Sequence, residues 1–134
     1  MLGECVGESK GKVTGQRVLP NPGGGPKMET SFQTTGSLLG VTNSETGTYW
    51  AVVRPDGTLY GEGQGVMMGH GGEAATWVGQ GVGTFKPGGA ISYRGAVYVQ
   101  TASPNWMRLN SLALLFEYEV DAQGNTSSKV FEWK

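Results

Sequence analysis

The segments GTLYGEGQGVMM (57–68) and ATWVGQGVGTF (75–85) decide the fold, because glycine occupies alternate positions in both. Residues two apart point to the same side of an extended chain. The sequence therefore contains two glycine triplets, each on one side of its strand: Gly61, Gly63, Gly65 and Gly79, Gly81, Gly83. Glycine weakens a strand, so the triplets indicate either tight coiling of the sheet or close approach by a side chain, backbone or ligand.

Clusters of turn-forming residues divide the rest of the chain into β-rich runs of similar length. The proline- and glycine-rich segment 20–26 fits neither a helix nor a central strand, and Pro55-Asp56-Gly57 is a hairpin signal. No stretch shows the period of an amphipathic helix. We predict eight strands, at 10–19, 28–41, 48–54, 58–68, 74–85, 90–101, 108–120 and 126–133. The predicted turns include 43–47, 69–72 and 86–89.

Tight turns make successive strands neighbours in a meander. Eight strands form a closed barrel whose interior just holds side chains or one small ligand. Closure also removes the sheet edges that a two-layer sandwich would have to protect. We therefore predict an all-β fold, an antiparallel eight-stranded meander barrel that forms a single domain over residues 1–134, with a sandwich as the alternative.

Composition excludes several classes of protein. The chain has 24 glycines but also four Trp, five Tyr and four Phe at a net charge of −1, which disordered chains do not combine. Lys and Arg are scattered, so we expect no nucleic-acid partner. No apolar stretch is long enough for a membrane span or a secretion signal, so we expect no membrane partner and a cytoplasmic location.

The sequence offers little for metal or cofactor chemistry. Cys5 and His70 are each the only residue of their type, so neither a disulfide nor a Cys- or His-based metal site is expected, and we predict no cofactor. We predict a buried or partly buried thiol at Cys5. His70 lies in the turn GHGG and is interpreted as an exposed turn residue or a contact at the rim of a site.

A candidate site depends on strand register. Loops of four residues at 69–72 and 86–89 would place six side chains on one face around a bare glycine floor: Tyr60, Glu62, Gln64, Trp77, Arg94 and Tyr98. The strands that carry Glu62 and Arg94 would lie about 9.6 Å apart, so the two side chains could reach each other or a ligand across the floor. We predict these six as ligand-binding residues, the alternative being a solvated or subunit-facing polar surface. One residue more or less in the first loop would move Tyr60 and Glu62 to the other face.

The same register makes the opposite face mainly apolar, with Val78, Val82, Ile91, Val97 and Val99. The C-terminal hairpin gives a second pattern. Leu112, Leu114, Phe116 and Tyr118 alternate with Ala113, Leu115, Glu117 and Glu119. This alternation predicts an apolar inner face and a partly acidic outer face, with Phe131 opposite Phe116.

The glycine-interleaved strands at 57–68 and 75–85, joined in a small meander, resemble uncharacterised bacterial proteins with an allene-oxide-cyclase-like (calycin-like) β-barrel. The resemblance implies an architecture similar to allene oxide cyclases and dirigent proteins, which shape reactive intermediates inside a barrel and usually form oligomers. It carries no catalytic motif onto this chain. The catalytic residues therefore stay unknown, and whether the protein is an enzyme stays open.

Three functions are compatible with this sequence. The first is binding of a small, largely apolar ligand inside the barrel. The second is a cyclase or isomerase reaction in the same cavity, with Glu62 or Tyr98 moving a proton. Both require a cavity of roughly 300 Å³ or more. The third is a structural or self-association module, a homo-oligomer for instance, which a lumen filled by Trp and Phe side chains would favour.

Overall fold

A computed structural model describes residues 1–134 and shows a closed antiparallel barrel. Its eight strands follow one another around the barrel: β1 (Leu2–Leu19), β2 (Lys27–Leu38), β3 (Val41–Val53), β4 (Leu59–Gly69), β5 (Ala74–Phe85), β6 (Ile91–Thr101), β7 (Leu114–Val120) and β8 (Asn125–Trp133). Each strand pairs with the next, and β8 pairs with β1. The predicted all-β class, strand number and meander order are confirmed.

The predicted turn at 43–47 is wrong, because these residues lie inside β3. The chain turns instead at Leu39 and Gly40, whose φ angles are +48° and +77°, between the paired residues Leu38 and Val41. Positive φ at both central residues is typical of the tight hairpin turn that suits twisted strands. The turn-forming residues Asn43, Ser44 and Gly47 are thus accommodated in a strand.

The predicted strand at 108–120 begins only at Leu114. Residues Pro104–Ser111 form a 3₁₀ helix, which we call the plug helix, across one end of the barrel. Trp106 and Leu109, three residues apart, share one side of such a helix and are completely buried. Trp106 Nε1 donates a 3.0 Å hydrogen bond to the carbonyl oxygen of Leu38. The plug helix closes the end of the barrel where β2 meets β3.

Each of the two loops that set the predicted register is one residue longer than expected. Met68 pairs with Ala74, and Phe85 pairs with Ile91, so five residues separate the last paired positions in each case. Glu73 belongs to the first loop because its carboxylate accepts hydrogen bonds from the Gly71 N–H at 3.0 Å and from Asn105 at 2.7 Å.

The C-terminal hairpin is also shifted by one residue, with Phe116 opposite Val130 and not Phe131. Leu114 and Tyr118 are nevertheless buried, whereas Glu119 is exposed, as the alternation predicted.

The longer first loop turns both glycine triplets toward the inside, where Gly61 faces Gly81 and Gly63 faces Gly79. Several interior rings rest directly on glycine. A Cβ on Gly65 would lie 2.4 Å from the indole of Trp77, and one on Gly83 would lie 2.7 Å from the ring of Tyr93. Close approach by side chains therefore explains part of the glycine pattern.

Two further observations complete the fold. Cys5 is exposed, so the predicted burial of its thiol is wrong. An irregularity in the β1–β8 pairing on either side of Cys5 turns Val6 inward in its place. The structure has no helix with the length and apolar character that crossing a bilayer requires.

Candidate functional site

The structure separates the six residues that register reasoning grouped together. Trp77 points into the barrel opposite Gly65, because the first loop has the extra residue. The other five remain together on the outer face, in neighbouring rows of β4 and β6: Tyr60, Glu62, Gln64, Arg94 and Tyr98. Val78 and Val82, expected on the apolar face, lie outside with them and are 58% and 48% exposed.

Glu62 and Arg94 share a face but have different partners. The Tyr60 hydroxyl lies 2.6 Å from Glu62 Oε2 and 2.7 Å from Gln80 Oε1. Arg94 Nη1 donates to Glu119 Oε2 at 2.7 Å, and Arg94 Nε lies 3.9 Å from Glu117. These groups form two local polar networks on a convex, solvent-facing sheet.

A partly open cavity of about 140 Å³ lies inside the barrel. Part of its wall is bare backbone, supplied by both glycine triplets at Gly61, Gly63, Gly79 and Gly81. Apolar side chains form most of the remainder, among them Met67, Val97, Val99, Leu114, Phe116 and Val130. The glycine triplets therefore line a cavity as well as support aromatic rings.

Glu45 is the acidic side chain that points into this cavity from β3. Burial raises the pKa of Glu45, and two polar neighbours oppose that effect in part. The Thr34 hydroxyl donates a 3.0 Å hydrogen bond to Glu45 Oε1, and the Trp77 indole lies close by without completing a hydrogen bond of good geometry. None of the five ion pairs of the chain includes Glu45. A carboxyl group without a cation thus lies in a mainly apolar wall.

Three tyrosine rings pack together on the side of the cavity away from the plug helix. The ring centroids of Tyr49, Tyr93 and Tyr118 lie 5.7–5.9 Å apart, and the hydroxyls of Tyr49 and Tyr118 are 3.4 Å apart. Burial raises the pKa of all three phenols. At neutral pH these hydroxyl groups remain protonated and can donate hydrogen bonds.

Sequence reasoning missed Glu45 because NSETG (43–47) was interpreted as a turn. The alternation of the residues that follow 43–47 does indicate that Glu45 points inward. Glu45, Tyr49, Ala51 and Val53 lie an even number of residues apart, so an extended chain places the carboxyl on the same side as the apolar residues.

Comparison with known proteins supports the architecture. No protein-family model matches the chain, and no curated protein matches its sequence. A conserved protein of unknown function from Rhodopseudomonas palustris superposes with a TM-score of 0.83 at 14% identity, covering 98% of this chain and 97% of its own. A protein of unknown function from Clostridium acetobutylicum gives 0.85 at 15% identity over the same shares. A beta-barrel-like protein from Acinetobacter baumannii gives 0.84 at 10% identity, covering 100% of this chain and 96% of its own.

The likeness shows the fold alone. At these identities it carries no residue role onto this chain, and the function must be argued from the cavity.

Proposed function

We propose that this protein binds a small, largely apolar molecule inside the barrel, with the polar group of that molecule at Glu45. The observation that carries the proposal is the cation-free carboxyl of Glu45 in the wall of an apolar cavity. Burying an ionisable group costs stability, so a structural role alone is a poor reason for this residue.

The cavity limits the size of the ligand. Its volume of about 140 Å³ is well below the roughly 300 Å³ of pockets for drug-sized molecules. Apolar cavities of about 150 Å³ do bind benzene. The proposed ligand is therefore a single ring or a short branched chain, smaller than the sequence suggested.

Binding of small probes tests this proposal. Benzene, phenol and cyclohexanone are titrated into the protein while two-dimensional NMR spectra report on the cavity residues. We expect saturable shifts for Val97 and Val99, with a Kd of about 1 mM or below. The variant Val97→Phe fills the cavity and should abolish the shift of Val99, whereas Val78→Phe adds the same ring outside and should leave the shifts of both valines intact.

Two results would count against binding. One is the absence of saturable shifts with all three probes, and the other is unchanged binding by a folded Val97→Phe variant.

A second candidate function is proton transfer in the same cavity, in line with the resemblance to cyclase-like barrels. Glu62 and Tyr98 lie outside the barrel, so the observation that favours this candidate is the raised pKa of Glu45 beside protonated tyrosines. A raised carboxyl pKa suits a group that accepts and returns a proton near neutral pH.

Cyclohexanone in D₂O provides the test of proton transfer. The Glu45 carboxylate removes a proton from the carbon next to the carbonyl, and the electron pair moves to the carbonyl oxygen. The carboxyl group exchanges this proton for a deuteron from D₂O and delivers the deuteron to the carbon, which restores the ketone and the carboxylate. Glu45→Gln should abolish deuterium incorporation while sparing cyclohexanone binding. Equal incorporation by the wild type and the variant would eliminate this candidate and leave binding in place.

We also propose a cytoplasmic setting. Cys5 is exposed and unpaired, and such thiols persist best in a reducing compartment.

A further inference from the structure

Part of the outer barrel surface is unusually apolar. Tyr98 on β6, Trp133 on β8 and Leu2 on β1 are 49%, 60% and 49% exposed. Leu115 and Phe131 lie between them and are half-buried. These side chains occupy four successive strands, β6, β7, β8 and β1, which we call the apolar face. Contiguous exposed apolar patches of this kind mark interaction sites more often than bare surface.

Strand register arranges the apolar face in rows that cross the four strands. One row, the charged row, contains Arg94, Glu117, Lys129 and Glu8, each paired with the next across a strand boundary. The adjacent apolar row contains Ala96, Leu115, Phe131 and Cys5 in the same strand order.

A further apolar row follows on the side away from the charges. Leu2 pairs with Trp133, and the N–H of Trp133 donates to the carbonyl of Ala113 at 3.2 Å. Tyr98 completes this row on β6, because Val97 pairs with Leu114 and the next residue therefore lies beside Ala113.

The charges in the charged row alternate in sign across β6, β7, β8 and β1. If a second copy presents the same row in reverse order, the first charge faces the fourth and the second faces the third. Because the signs alternate and the number of charges is even, each facing pair has opposite signs. A two-fold axis that runs parallel to the strands, between β7 and β8, makes this reversal. Closed two-fold symmetry is also the commonest symmetry of soluble oligomers.

We propose that a second copy of this chain covers the apolar face, related by this two-fold axis. The axis places Arg94 opposite Glu8 of the second copy, and Glu117 opposite Lys129. In the adjacent row it places Leu115 opposite Phe131.

The last row follows the same rule. Tyr98 lies opposite Leu2 of the second copy, and Ala113 lies opposite Trp133. Every row therefore matches opposite charges or apolar side chains, and the arrangement puts the apolar groups at the centre with charges along one rim, as in other protein interfaces. The glycine triplets play no part, since they face inward.

Sedimentation equilibrium measures the oligomeric state directly. We expect a dimer whose Kd rises with salt concentration, because the rim pairs are exposed. Tyr98→Glu should weaken dimerisation by about tenfold or more, because it places an unpaired charge opposite the apolar Leu2 of the second copy. Val66→Glu is the matched control, since Val66 is 47% exposed but lies on β4, outside the apolar face.

A charge exchange tests the axis itself. Arg94 and Glu8 lie three strands apart in one chain, so they meet only across the proposed interface. Arg94→Glu should weaken the dimer by about tenfold or more, because two like charges then face each other. The double variant Arg94→Glu/Glu8→Arg should restore much of the affinity. Thermal unfolding monitored by circular dichroism confirms that each variant is folded.

Three results would overturn the proposal. They are a wild-type protein that is monomeric at high concentration and low salt, a dimer that survives in folded Tyr98→Glu, and a double variant no tighter than Arg94→Glu. If a different protein covers this face, the wild-type chain alone is monomeric, which is the first of these results.

Discussion

At the scale of single residues, Glu45 is a carboxyl group that the fold largely removes from water. Burial raises the pKa of its carboxyl in the folded protein, while in the unfolded chain the pKa is ordinary. Between the two pKa values the folded state holds a proton that the unfolded state has released. Stability therefore decreases as pH rises through this window, and the full contribution is present only below the unfolded pKa.

Glu45→Gln removes this titration and keeps a side chain of the same shape. We predict that the free energy of unfolding of the variant, relative to the wild type, increases as the pH rises above 4.5, the ordinary pKa of a glutamate. Urea unfolding at several pH values provides the measurement. The groups with lowered pKa values, such as Asp56 and Asp121, titrate in both proteins and cancel in the difference. A difference independent of pH would show that Glu45 is solvated in the folded state.

Gly65 illustrates how one missing methyl group shapes the interior. A Cβ at this position would lie 2.4 Å from two atoms of the Trp77 indole, too close for any side chain without movement of the ring. We predict that Gly65→Ala destabilises the fold by about 1–3 kcal/mol, as overpacking of a core does. Gly15→Ala is the control, because nothing lies within 4 Å of its Cβ position. It should be neutral or stabilise by up to about 1 kcal/mol. Urea unfolding at neutral pH measures both.

At the scale of elements, the plug helix depends on contacts with strands far away in sequence. Arg108 Nη2 lies 2.7 Å from Glu132 Oε2, and the Glu132 side chain is only 7% exposed. Arg108→Met leaves that carboxylate without its cation, which we predict costs about 2 kcal/mol in the free energy of unfolding. Adding Glu132→Gln to the same protein removes the uncompensated charge and should recover part of the loss. Equal stability of Arg108→Met and wild type would show that solvent already screens Glu132.

The elements show where sequence patterns are informative. Alternation along the chain gave the bounds of β4, β5, β6 and β8 to within one residue, because period two is a direct consequence of an extended backbone. The plug helix escaped prediction because Trp106 and Leu109 give it only two apolar positions, too few to establish a period. Its stability comes from burial against the barrel end, which is a property of the tertiary structure.

The candidate site was harder to predict than the strands. Which residues share a face depends on the length of the loops to within one residue. Glu73 lies in the first loop, where its carboxylate accepts hydrogen bonds from Gly71 and from Asn105, and Asn105 is distant in sequence. That single extra loop residue separated Trp77 from the five outer residues. Glu45 escaped prediction for a different reason. The segment 43–47 consists of turn-forming residues, although the alternation of the residues that follow also fits a strand through Glu45.

At the scale of the whole molecule, closure brings the two ends of the chain together. The amino group of Met1 donates to the carbonyl of Lys134 at 2.8 Å, and the N–H of Lys134 donates to the carbonyl of Met1 at the same distance. β1 and β8 are thus neighbours like any other pair in the meander. In a ring of eight strands no connection is topologically special, so the position of the chain break should matter little.

A circular permutant tests this equivalence. Lys134 is joined to Met1 through a short Gly-Ser linker, and the chain is opened between Gly23 and Gly24 in the exposed loop from β1 to β2. Exposed loops of this kind tolerate new termini. We predict a folded protein whose near-ultraviolet circular dichroism matches the wild type, because Trp77, Trp106 and the tyrosine cluster keep their packing. Its Tm should lie within about 10 °C of the wild-type value, since only one loop closure is exchanged for another. If closure by β1 and β8 were absent in solution, the linker would join two distant ends, and the permutant would lose this signal or aggregate.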